Sequence, residues 1–203
     1  MNGNTTDRLS QKDNCRKEKI GSLLDEASTI ARRVLDSIQT LAGTTACKGV
    51  QIARLKEWAQ SNNLWIEDAR TLGTFSDRGS ENEVYLSLES NRVYKLNDFR
   101  YSDDNLMPFF ERIRIHNRLF EDCPYVMIGM AENQSGKPCA VLTQPYILAE
   151  REATEEEITE ELLRLGFHPE MEGEYFSNGY FDTYRSLSPN YSPKTFGNLN
   201  ENP

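Results

Sequence analysis

A lysine between apolar neighbours, Lys95 in the run Arg92-Val93-Tyr94-Lys95-Leu96, is the residue of this chain best placed to do chemistry. Its ammonium must reach something polar, because an unpaired charge is costly to bury. A phosphate and a carboxylate are the natural partners. The run before it, Gly79-Ser80-Glu81-Asn82-Glu83-Val84-Tyr85-Leu86-Ser87-Leu88, reads as a glycine-turned strand that feeds the lysine strand through a turn at Ser90-Asn91.

The elements around these two strands follow from hydrophobic period. Residues 1–16 are polar and mixed and are expected to be disordered. From Lys17 to Leu41 apolar residues recur every three or four positions, which predicts one long amphipathic helix. A second helix is predicted from Val50 to Gln60, completing a helical arm over 17–62. Two readings of the arm stand side by side: a surface for a protein partner, or two helices packed on the domain that follows. From Leu64 the period changes to two. Strands are expected at Trp65–Phe75, Glu83–Glu89, Arg92–Asn97, Tyr125–Ala131 and Pro138–Ile147, with a helix from Asp104 to Glu121 between the third and fourth. Pro108 suits that helix only in its first turn.

Beyond Ile147, Thr154 and Glu157 form a capping-box pattern that opens a helix through Leu165, and Gly166 closes it. A hairpin is predicted from Glu174–Phe176 and Tyr180–Asp182 about Asn178-Gly179. Residues 185–203 are rich in Ser, Pro, Asn and Tyr and read as an irregular tail.

Composition narrows the partners. The net charge of −9, from 23 basic and 32 acidic residues, leaves no basic footprint for nucleic acid. No apolar run is long enough to span a bilayer. Cys15, Cys47, Cys123 and Cys139 are scattered without a Cys-x-x-Cys pair, which fits reduced thiols in a cytoplasm. With only His116 and His168 besides, no zinc spacing is present, and His116 reads as a packing residue.

The residues Gly79 to Leu96, Phe109-Phe110-Glu111-Arg112-Ile113-Arg114-Ile115-His116-Asn117, Gln144-Pro145-Tyr146 and Ala153 to Phe167 together resemble one family. It is the serine/threonine/tyrosine kinase domain of polyvalent proteins, carried by phages and conjugative elements, with similarity over about Leu55 to Tyr184. The resemblance implies an α+β fold: a protein-kinase-like amino-terminal lobe over 63–148, with a five-stranded antiparallel sheet and one helix, and a partial carboxy-terminal lobe over 149–184. It also implies roles, with ATP and magnesium as cofactors. Gly79, Ser80 and Asn82 would lie over the ATP phosphates; an ordinary hairpin turn is the other reading. Lys95 would grip the phosphates and Glu111 would pair with it. Gln144 and Tyr146 would lie at the hinge, where backbone groups meet adenine, although a plain strand end is the alternative.

The resemblance breaks down where chemistry would follow. A kinase needs an aspartate to accept the substrate proton and an asparagine five residues later for magnesium. Placing Asn190 at the metal position puts Arg185, a cation, where the base belongs. Asp182 is three residues out of register, and Thr195-Phe196-Gly197 lacks the metal-binding aspartate. A truncated or frameshifted copy is therefore expected. Three functions follow: an ATP-binding kinase remnant of a bacterial mobile element, an active atypical kinase using Asp182 or a partner residue, and a non-enzymatic module acting through its amino-terminal helix.

Overall fold

A computed structural model of the chain describes residues 23–38, 47–147, 151, 153–170, 175–179 and 182–184. The chain divides into two units, Met1–Tyr146 and Ile147–Pro203. The expected disordered start over 1–16 and the tail over 185–203 lie outside the described residues.

In the first unit, α1 (residues 23–38) and α2 (Cys47–Ser61) precede a sheet formed by β1 (Trp65–Ile66), β2 (Thr74–Arg78), β3 (Asn82–Ser87), β4 (Arg92–Asn97), β5 (Val126–Glu132) and β6 (Pro138–Pro145). Helix α3 (Met107–Leu119) follows β4, and Pro108 falls in its first turn, where the missing N–H costs no helical bond. The strand order is β1-β5-β6-β4-β3-β2.

The expected five-stranded antiparallel sheet is thus corrected to six strands in a mixed sheet. β2 to β6 pair antiparallel, and β1 adds to β5 in parallel at the far edge. The physical reason lies in Asp68 and Gly73. Asp68 accepts the backbone N–H of Arg70 and opens a short 3₁₀ turn over Ala69–Leu72, and Gly73 ends it at φ 146°. A β-carbon on Gly73 would run into the Leu86 carbonyl oxygen. The predicted strand Trp65–Phe75 therefore splits, and its two halves lie at opposite edges of the sheet. Ile66 at the end of β1, with Ala69 and Leu72 of the 3₁₀ turn, packs against Tyr85, Leu96, Ala131, Cys139 and Val141 on one sheet face.

The other face carries the helices. Leu24, Ala27 and Ala31 of α1, Leu55 and Ala59 of α2, and Phe109, Phe110 and Ile113 of α3 share one core with Met127, Met130, Ala140 and Leu142 of the sheet. The second reading of the amino-terminal helices is the one the packing follows. Gln51, fully buried, ties the layers: its Nε2 donates to the Ala31 carbonyl at 2.8 Å, and its Oε1 accepts the Leu106 N–H at 2.9 Å.

In the second unit, α4 (Glu155–Arg164) opens on the predicted capping box between Thr154 and Glu157. Hydrogen bonds from Arg151 and the Thr154 N–H pull the exposed Glu157 carboxyl down to about 2. Thr154→Ala is expected to cost the helix about 1 kcal/mol, visible as faster hydrogen exchange of the first-turn amides. A three-stranded sheet, β7 (His168–Glu170), β8 (Tyr175–Ser177) and β9 (Asp182–Tyr184), follows. β8 pairs with β9 as a hairpin, the expected residues Tyr180 and Phe181 lying outside the described residues, and β7 adds a third strand against β8.

Candidate functional site

Register brings Lys95 and Gln144 to one face of the first unit's sheet. Lys95 stands opposite Val84 on β3 and Leu142 on β6; Val93 stands opposite Leu86 and Gln144. Directly opposed residues in an antiparallel sheet point the same way, and Leu142 belongs to the helix-side core. Lys95 therefore points to the helix side, where it is only 7% exposed.

The Lys95 ammonium donates to the Tyr125 hydroxyl at 2.8 Å and lies 5.0 Å from the centre of that ring. Tyr125 is itself held firmly. Asn117 on α3 donates to its carbonyl and accepts its N–H, each at 2.7 Å. The His116 ring lies 4.4 Å from the Tyr125 ring, and its Nε2 is 3.1 Å from the Cys123 carbonyl. A carbonyl oxygen can only accept, so Nε2 carries the proton and the buried Nδ1 is left without a partner.

Burial, with the Lys95 charge adding to it, holds the His116 pKa below its ordinary 6.5. Below pH 6.5 the unfolded imidazole takes up a proton that the folded one resists. Stability from this group is complete above that pH and declines as pH falls toward the lower folded value. The urea midpoint should fall accordingly on acidification, and His116→Phe should flatten that part of the profile.

The structure does not bring Lys95 and Glu111 together. Glu111 is exposed on α3, and the ion pairs among the described residues do not include Lys95. Helical geometry is the reason: Phe109, Phe110, Ile113 and His116 take the buried stripe, so position 111 faces away. Arg112, half-buried, instead reaches Glu81 at 3.9 Å.

Gly79 and Ser80 are exposed in the β2–β3 turn. Gly79 has room for a β-carbon, so neither space nor backbone conformation demands glycine there. The turn is anchored at its base by Glu83, whose buried carboxylate accepts from Arg78 at 2.5 Å and from the Gln134 N–H at 3.2 Å. Asn82 does not point into free space: its side-chain carbonyl accepts from Asn97 at 3.1 Å. Gln144 shares the Lys95 face, and its Oε1 is buried without a hydrogen-bond partner. The Tyr146 N–H donates to the Asn91 carbonyl at 3.0 Å.

Asp182 lies on β9 opposite Ser177. Asn190 lies outside the described residues. Among the described residues no group of three His, Cys, Asp or Glu side chains could hold a metal ion, and no helix is long and apolar enough to cross a membrane. Tyr125, Asn117 and Glu83 carry no sequence signal for the contacts they make here. Tyr125 is 30 positions from Lys95, and no local spacing announces such a pair.

A family model described as serine/threonine/tyrosine kinase found in polyvalent proteins matches residues 48–180, more than half of the chain. The match ends before Asp182, Arg185 and Asn190. No curated protein and no solved structure matches significantly.

Proposed function

The chain belongs to the family of serine/threonine/tyrosine kinases found in polyvalent proteins, and from that premise we propose that its first unit binds ATP through Lys95 without transferring phosphate by itself. The observation that carries this reading is the buried ammonium of Lys95 bonded to a phenol instead of a carboxylate. Such a cation keeps its charge available to an incoming anion, and phosphate oxygens are strong acceptors for it. Half-buried Val84 and Leu86 on the same face supply apolar surface for a base. The buried Oε1 of Gln144 supplies an acceptor for a ligand N–H.

The absence of independent transfer rests on the sequence register, in which Asn190 can serve magnesium only if Arg185 occupies the place of the base. Magnesium then arrives with the nucleotide phosphates. The resemblance to a family of polyvalent proteins is compatible with a role in a bacterial mobile element, and the scattered cysteines without a Cys-x-x-Cys pair fit reduced thiols in a cytoplasm.

Thermal unfolding with ATP, with and without magnesium, tests the reading. Ligand at a hundred times its Kd stabilises the native state by about 2.7 kcal/mol, so the wild-type transition should rise measurably. Lys95→Met should remove the rise, and labelled-phosphate transfer should be absent in both proteins. A flat response of the wild type to ATP would favour a non-enzymatic interaction module.

A further inference from the structure

We propose that Tyr125 is the positioning residue for Lys95, doing through a neutral phenol what a helix carboxylate would otherwise do. The inference rests on the ATP-binding reading for its consequence and on geometry for its substance. The Lys95–Tyr125 bond is 2.8 Å long between two side chains that are each 7% exposed. A buried hydrogen bond of that length fixes the rotamer of a long, flexible side chain.

The anchor is itself anchored. Asn117 makes two 2.7 Å bonds to the Tyr125 backbone, fixing the residue at the mouth of β5, and the His116 ring packs against the phenol from α3. The carboxylates that could compete are directed elsewhere. Glu111 is exposed. Glu83 is committed to Arg78 and the Gln134 N–H, and its strand partner Leu96 belongs to the opposite face. Asp98 is bridged by Arg100 at 2.6 Å. The group that Lys95 does reach is the Tyr125 phenol, with the His116 ring 4.4 Å from that ring, and neither is a carboxylate.

A carboxylate partner would offset the ammonium before a ligand arrived. A phenol orients it and leaves the full charge for a phosphate. Tyr125 thus sets both the direction and the strength of the Lys95 contact, while α3 contributes through Asn117 and no acid.

Two variants of the full chain, Tyr125→Phe and Glu111→Gln, separate this assignment from the conventional pair. The first readout needs no nucleotide: the ¹⁵N-labelled ammonium signal of Lys95, identified by its loss in Lys95→Met. It should be protected from exchange in the wild type and in Glu111→Gln, and lost in Tyr125→Phe. The phenylalanine keeps the ring packing, and an unchanged circular dichroism spectrum verifies the fold. The second readout is ATP affinity, which should weaken about tenfold in Tyr125→Phe, as for loss of a hydrogen bond to a charged group, and stay unchanged in Glu111→Gln. A protected signal that survives Tyr125→Phe, or is lost in Glu111→Gln, overturns the proposal. If the signals behave as expected but the wild type fails to bind ATP, the positioning role stands and the ATP-binding reading fails.

Discussion

Gly129→Ala is expected to be the most damaging single substitution in the first unit, costing about 4 kcal/mol or more, a size reserved for steric or buried-group failures. Gly129 sits at the bulge in β5, where the register against β6 shifts, and its φ is 154°. A β-carbon there would overlap the Leu64 carbonyl oxygen. That oxygen cannot retreat. It accepts the Met130 N–H at 2.9 Å, while the Leu64 N–H is held by the Ala59 carbonyl at 2.8 Å, at the junction of α2 and β1. Gly136→Ala is the control, because Gly136 also has a positive φ, 73°, but opens on empty space. It should lose only about 1 kcal/mol from the left-handed conformation. Urea unfolding of the two variants against wild type measures the difference.

Phe110→Ala follows in size, at an expected 3–5 kcal/mol, roughly the range for removing a fully buried aromatic ring. Phe110 is completely buried and meets Phe109 edge-on at 5.2 Å, which in turn meets Phe99 at 4.9 Å. These rings hold α3 against the sheet. The same helix carries Asn117, so loosening it should also release Tyr125 and, through it, Lys95. Phe110→Leu should keep most of the stability, since it retains apolar volume. Denaturant midpoints at constant slope give the two values.

The parts legible in the sequence are those set by local rules. The Thr154–Glu157 capping box, the Ser90-Asn91 turn, the helix entered at Pro108 and the Lys95 strand all follow from neighbouring residues. What escaped notice depends on distant pairings. β1 joins β5 in parallel across some sixty residues, with Trp65 opposite Met130. Glu111 follows two phenylalanines, a context that suggests a paired carboxylate, yet the same two rings claim the buried stripe and turn it to solvent. In the sequence Tyr125 is an ordinary strand residue; its contacts come from β4 and α3 meeting over its ring and backbone.

Calorimetric titration of the full chain with ATP and magnesium, run in parallel on wild type and Lys95→Met, tests the central claim most directly. Saturable binding at one site in the wild type, lost in Lys95→Met while that variant keeps its unfolding transition, is the predicted result. Equal binding by both proteins, or no heat from the wild type at any ATP concentration that stays soluble, would contradict it.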